Sequence, residues 1–459
     1  MTNLLKSVSR SAAPSAGWTI AQPRRPPRLW RTVLARPLFL VVFVLTIVPP
    51  MLGQALPAAE AAPISTGFAL PRTAGTLNYA VSASESLTFG YYGNQGEYSA
   101  TNLSGDVAYI SNSKLHPFSM VLSGGRSWSS SGQPSYGFSS LGLSQVLNLK
   151  RWSVVVSDSV AYLPGTPTAG LSGVPGVGDL GINPVQVGAD TGQGVLTAYS
   201  SRIANTAAGS IQRQLTGQTS VNASGSYGIL RFLGSGGGGI DGGSVTGGVG
   251  ISHQLSALTS FSGNYSYSSF TYSDASHLPG FASQTASLQF ARRLTRRLSM
   301  SVSAGPQWTS IDSPGSSQGV NVAANASLSY GGQFTHVAIS YTRGTNSGSG
   351  VVGGALSQGG TISAGRTFAR VWSCSVNASY TQSSSLPFAN ASPFSVDATV
   401  ASAQVSRAIM RSLSAYASYT IEHQSSPGST SAVDVFSGLE QVVGFGVTYS
   451  PSSIHLGRQ

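Results

Sequence analysis

Charge is scarce in this chain. Only 8% of its 459 residues are Asp, Glu, Lys or Arg, against roughly a quarter in an ordinary soluble domain. Apolar residues make up 41%, so hydrophobicity does not replace the missing charge; Ser, Thr, Asn, Gln and 56 glycines do. That surface is too weakly charged for a typical solvated domain and too polar for a helical membrane protein. Long hydrophobic runs are also missing. Beyond residue 61 no window holds the roughly 18 or more apolar residues of a transmembrane helix. Cysteine occurs once, at Cys374, which excludes an intramolecular disulfide and any Cys-based metal cluster. Two classes survive: a lipid-embedded β-barrel, or a Gly/Ser-rich secreted repeat protein.

The formal net charge of +11 overstates the basicity of the folded part. Seven of the 25 bases (Lys6, Arg10, Arg24, Arg25, Arg28, Arg31, Arg36) lie in residues 1–61 against one of the 14 acids, Glu60. The rest is close to balanced, and no basic helix or aromatic-and-basic motif points to nucleic acid. The same stretch reads as a signal peptide: a basic region, an apolar run from Leu38 to Val48, then Pro49-Pro50 and an A-x-A site at Ala59-Glu60-Ala61, with cleavage before Ala62. The competing reading is a single N-terminal anchor helix. The expected organisation is therefore a cleaved signal peptide over 1–61, a periplasmic segment over 62–75, a barrel over 76–450 and a tail over 451–459.

What the chain does have is one unit written eight times: an alternating segment, a short basic turn, another alternating segment. In the clearest copy, Ala286, Leu288 and Phe290 alternate with Ser287 and Gln289. After the turn, Leu298, Met300, Val302 and Ala304 alternate with Ser299, Ser301 and Ser303. Strict period-2 alternation means one apolar and one polar face on each strand. Further turns fall near Lys114-Leu115-His116, Leu149-Lys150-Arg151, Arg213-Gln214-Leu215, His253-Gln254-Leu255, Gly331-Gly332-Gln333, Phe368 and Arg407 to Arg411. Unpaired segments at Leu77 to Tyr92 and Leu439 to Tyr449 bring the total to about eighteen strands of about ten residues, an even number as in single-chain bacterial barrels.

A soluble antiparallel sheet covers its apolar face with a second layer, and no helix here supplies one. Closing the sheet removes its edges and leaves lipid to cover the apolar face. The expected fold is thus all-β, a transmembrane antiparallel up-and-down barrel. Its short turns would be periplasmic and its longer Gly/Ser/Pro-rich loops extracellular. Trp128, Trp152, Tyr162, Trp308 and Trp372 fall near strand ends, where interfacial aromatic girdles belong. Cys374 shares parity with Trp372 and Val376 and reads as a small lipid-facing residue; the sharper alternative is a reactive thiol.

Twelve bases sit at or beside the short turns: Lys114, Lys150, Arg151, Arg213, Arg292, Arg293, Arg296, Arg297, Arg366, Arg370, Arg407 and Arg411. They form a basic periplasmic rim, either an anchor or an anion-attracting vestibule. The connection from Pro164 to about Val195 differs from the other loops. Among its glycines and prolines it spaces Leu171, Val174, Val177, Leu180, Ile182, Val185 and Val187, side chains that should pack on something. The segment is expected either to fold into the lumen as a constriction or to cap the mouth.

Motifs of other chemistry fail on context. Gly176 to Gly181 matches G-x-G-x-x-G, but Pro175 and Pro184 flank it where a strand and a helix are required. Gly236 to Gly243 resembles a calcium-binding nonapeptide only once. Of six histidines, only His277 near Asp274 and His423 beside Glu422 are placed for chemistry at a barrel rim, and neither sits in a nucleophile motif. No catalytic, cofactor or metal site is expected.

The repeated hairpins, strand openings such as Ser220-Val221-Asn222-Ala223-Ser224-Gly225-Ser226-Tyr227, and the Asn-Ala-Ser triplets at Asn325 and Asn377 resemble the uncharacterised β-barrel porin families of Gram-negative outer membranes. Some of these are associated with exopolysaccharide or exosortase systems. The resemblance implies an outer-membrane barrel whose partners are lipid, lipopolysaccharide and the barrel-assembly machinery, with periplasmic export partners as a further option. The expected function is a passive channel for small polar solutes. A polysaccharide export conduit and a non-conducting surface scaffold or adhesin are the alternatives. One feature departs from the usual pattern: Phe445, Val447 and Tyr449 suit the aromatic end of a barrel, yet ten residues follow.

Overall fold

The computed structural model describes residues 75–90, 97–113, 115–130, 135–163, 201–233, 240–273, 278–312, 319–348, 354–387, 395–426 and 437–456. The signal-peptide segment, the 164–200 connection, Lys114 and His277 lie outside the described residues.

The described residues form antiparallel strands joined in chain order. The first six are β1 (Gly75–Gly90), β2 (Tyr98–Ser111), β3 (Phe118–Ser129), β4 (Tyr136–Asn148), β5 (Trp152–Leu163) and β6 (Ser201–Gln214). Then come β7 (Thr219–Leu233), β8 (Gly242–Ser256), β9 (Thr259–Tyr272), β10 (Phe281–Arg293), β11 (Leu298–Ile311) and β12 (Gly319–Gly331). The remainder are β13 (Thr335–Asn346), β14 (Ala355–Phe368), β15 (Trp372–Ser385), β16 (Ser395–Ala408), β17 (Leu413–Ser425), β18 (Gly438–Tyr449) and a short β19 (Ile454–Leu456). β1 pairs with β2 on one side and β18 on the other, so the sheet closes. This is the expected eighteen-stranded up-and-down barrel, and all eight short turns fall where the basic hairpins were read.

Three details differ from the sequence reading. The strands run to 12–16 residues, because they extend past the alternating apolar stretch at both ends. Phe368 closes β14 rather than sitting in the turn. Part of the tail joins the wall: Ile454 to Leu456 pair with Leu77 to Gly75 as a continuation of β18. The register sum moves by one residue between Val81↔Tyr449 and Gly75↔Leu456, the signature of a bulge that absorbs Ser450 to Ser453.

The turns have a local cause. Thr216 and Thr295 occupy equivalent places, each following a leucine. The Thr295 hydroxyl accepts from the Arg297 and Leu298 amides at 3.2 and 3.0 Å, as Thr216 does from Gln218 and Thr219 at 3.2 and 3.0 Å. A hydroxyl that satisfies the turn amides fixes where one strand stops and the next begins.

The two faces separate as alternation requires. On β1, Ser82, Ser84, Ser86 and Thr88 are buried, while Val81 just before them is 45% exposed. On β11 the outward residues Leu298, Met300, Val302, Ala304 and Trp308 lie opposite Tyr330, Leu328, Ala326, Ala324 and Val320 of β12, apolar against apolar. Pro306 also faces outward in the middle of β11. It can donate no ladder hydrogen bond, and the β10–β11 pairing is interrupted there, between Thr285↔Gln307 and Leu288↔Ala304, with register unchanged. Gly305 makes the interruption possible: a Cβ at that position would lie 1.8 Å from the Ala286 carbonyl oxygen.

Candidate functional site

The candidate site is the lumen, and its wall is built from cross-strand hydroxyl pairs. Ser299 meets Ser329 at 2.6 Å, Ser301 meets Ser327 at 2.8 Å, Ser340 meets Thr361 at 2.6 Å and Ser357 meets Ser383 at 2.7 Å. Thr246 with Ser268 and Ser252 with Ser262 repeat the arrangement at 3.0 Å on β8 and β9. All lie on inward positions, so opposed residues on neighbouring strands satisfy each other and still offer lone pairs to the lumen.

Charge is nearly absent from that wall. Following the register around the barrel, the inward charged residues of the described strands are Asp106, Arg202, Arg293, Glu422 and Glu440. Glu422 and Glu440 are direct register partners on β17 and β18 near the long-loop end. They are 2% and 6% exposed, and neither carboxylate oxygen of Glu422 accepts a hydrogen bond from a described residue. His423 lies opposite Thr399 on the outward face, whereas Glu422 points inward. Adjacent residues of a strand cannot form a dyad, so the sequence pairing of His423 with Glu422 does not exist in space. Among the described residues no three His, Cys, Asp or Glu side chains come together.

The basic rim resolves by face. Of the five rim bases carried on strands, Arg213, Arg292, Arg366 and Arg407 share the outward parity of Trp152, Phe290, Ile362 and Trp372, and only Arg293 faces inward. Lys150, Arg151, Arg296, Arg297, Arg370 and Arg411 occupy the turns. Arg213 stacks over the Trp152 ring at 4.9 Å and Arg407 over Trp372 at 5.3 Å. An arginine held against an outward-facing tryptophan suits the headgroup level of a bilayer and not the mouth of a pore. All five girdle aromatics read from the sequence are outward and close to strand ends. Cys374 lies opposite Arg366 and Val405 on the same outward face and is half-buried. The residues read as a constriction loop, Leu171 to Val187, lie outside the described residues.

One part of the site leaves no mark in the alternation of the sequence. At the long-loop end, Phe270, Phe281 and Leu386 form a buried apolar cluster, with Tyr272 and Ile311 against it. The Phe270 and Phe281 rings stack with centroids 4.5 Å apart, and Phe281 is fully buried. Register places Phe270, Phe281 and Ile311 on the inward face of three neighbouring strands. The far side is supplied by the segments beyond β13 and β15. The Tyr272 hydroxyl donates to the Ser347 carbonyl at 2.9 Å, and the Leu386 amide donates to the Gly354 carbonyl at 3.1 Å. Gly354 has a φ of +70°, and a Cβ there would lie 2.8 Å from the Phe281 ring, so glycine is what lets the backbone lie against that ring. The cluster stands inside the mouth and spans the tops of β9 to β15. Its members come from separate strands and from the segments next to Gly354 and Leu386, far apart in sequence, and the alternation within any one strand does not mark their meeting.

An apolar outward band between aromatic girdles, around a closed and polar lumen, defines a transmembrane-type β-barrel. No protein-family model matches the chain, and no curated protein matches it. Solved barrels of similar outline include Pseudomonas aeruginosa OpdQ, at 10% identity and a TM-score of 0.41, covering 83% of this chain and 99% of that one. P. aeruginosa OpdL gives 11% and 0.42 over 83% and 99%, and Acinetobacter baumannii OccAB3 gives 10% and 0.43 over 82% and 99%. At such identities and scores the likeness says nothing about solute. The barrel rests on its own strand pairing.

Proposed function

We propose that the chain is a passive channel of a bacterial outer membrane for small polar, mainly uncharged solutes. The observation that carries this reading is the lumen wall: eighteen strands closed around opposed hydroxyl pairs, with five charged side chains inward among the described strands. A barrel of about this strand number encloses an aqueous passage. A wall of hydroxyls replaces solvent hydrogen bonds for a polar solute without holding it by charge. The short turns with their basic rim face the periplasm and the longer loops face outside, the usual arrangement of such barrels. The apolar residues of the 164–194 connection narrow the passage in this reading. Deleting Thr168 to Pro184 then raises conductance and leaves the heat-resistant barrel intact. The proposal is tested by swelling of liposomes that carry the refolded protein. Uncharged sugars should enter faster than anions of similar size, and a swelling rate equal to that of empty liposomes would reject it.

A further inference from the structure

On the outward face a concave groove of about 820 Å³ crosses β5 to β11. It follows one continuous row of the register: Trp152 opposite Arg213, then Val221, Ile251, Gly263 and Leu288. A second row beside it ends at Ala286 and Pro306, where the β10–β11 ladder is interrupted. Because barrel strands tilt by roughly 35–45°, a row perpendicular to them climbs through the membrane. Arg213 stands one residue from the short-turn end of β6, and Leu288 stands five residues from that end of β10. Five inter-strand spacings of about 4.8 Å make the row roughly 24 Å long. At that tilt it rises roughly 15 Å, about half of a hydrocarbon core of roughly 30 Å. The groove therefore starts at headgroup level and ends near the bilayer centre.

Its chemistry is polarised along that path. Among the described residues Arg213 is the one charged residue in the lining, and it sits at the low end, where the stacked Trp152 leaves the guanidinium edge free to donate. Above it the outward lining is aliphatic, small or aromatic. Gly263 deepens the groove for no internal reason: a Cβ there would meet Leu288 and Ile251 at 3.8 and 3.9 Å, ordinary contact that the barrel would tolerate.

We infer that this groove binds one anionic phospholipid of the periplasmic leaflet, its phosphate on Arg213 and one acyl chain lying between the two rows, toward Leu288 and Pro306. The inference rests on the membrane-spanning reading above, and its test separates the two. The mature chain is purified in mild detergent with phosphatidylglycerol and phosphatidylcholine of identical chains, and retained lipid is counted by native mass spectrometry. Phosphatidylglycerol should be retained over phosphatidylcholine by about fivefold, the ratio one basic side chain near an anionic headgroup supplies. Arg213→Gln should remove that preference while lipid of either kind is still retained. Gly263→Leu should abolish retention and keep the heat-resistant barrel; Ala223→Leu, in the second row, gives the same readout independently. Equal retention of both lipids by the unmodified protein overturns the inference although the barrel stands. So does a two-copy species that Gly263→Leu disperses, because the groove would then hold a second copy. A chain that forms no heat-resistant barrel with either lipid overturns the membrane reading itself, and this inference with it.

Discussion

Ser82 and Thr448 meet hydroxyl to hydroxyl at 2.8 Å although 366 residues separate them in sequence. Their contact lies on the seam where β1 closes against β18, in a register that runs from Val81↔Tyr449 to Gly90↔Glu440. Directly opposed residues of an antiparallel pair have Cα atoms about 4.5–5.5 Å apart, within reach of a disulfide. In a Cys374→Ser background, Ser82→Cys with Thr448→Cys should therefore oxidise to one intramolecular disulfide in the folded protein, read as thiol loss by mass. Two free thiols under oxidising conditions would mean that the seam has another register.

The faces can be tested on one strand. Val302 is outward, opposite Phe290 and Ala326, and Ser301 is inward, paired with Ser327 at 2.8 Å. Val302→Arg should cost roughly 2–4 kcal/mol of folding stability if it lies near the midplane. Ser301→Arg loses one hydroxyl pair and keeps its charge in water, so it should cost less. Reversible denaturant unfolding in vesicles measures both, and equal costs would contradict the assignment of faces.

These faces were legible in the sequence because lipid imposes one rule on every strand: Leu298, Met300 and Val302 must alternate with Ser299, Ser301 and Ser303. The turns were legible because most combine flanking bases, such as Arg296 and Arg297, with the break in alternation; the part played by Thr216 and Thr295 came only with the structure. What alternation does not carry is which side of a rim a base occupies. Arg213 and Arg293 look alike as turn-flanking arginines, and only the register through Trp152 and Ser299 sends one outward and the other inward. The mouth cluster was hidden for a different reason. Phe270 and Phe281 stand at strand ends, and Leu386 lies about a hundred residues away; their meeting depends on the segments that follow β13 and β15, which reach Tyr272 through Ser347 and Phe281 through Leu386.

That cluster should control the width of the mouth. Phe281→Ala removes a fully buried ring stacked on Phe270, at a cost of about 3 kcal/mol. Single-channel conductance should rise in a barrel that still resists heat. Conductance unchanged in the folded variant would place the narrowest point elsewhere.

Ion preference should follow the few inward charges. On the described strands Asp106, Glu422 and Glu440 outnumber Arg202 and Arg293, and the two glutamates are adjacent near the long-loop mouth. Measured at alkaline pH, where both carboxylates are ionised, the channel should favour cations weakly, and Glu422→Gln with Glu440→Gln should move the reversal potential in a salt gradient toward the anion side. No movement would show that permeating ions do not pass these carboxylates.

The central claim is that the hydroxyl-lined lumen conducts. The most direct measurement is single-channel recording of the refolded, heat-resistant protein in a planar bilayer. Discrete, ohmic steps that scale with bulk salt conductivity are the result this account predicts; a folded, inserted barrel that gives no steps would contradict it.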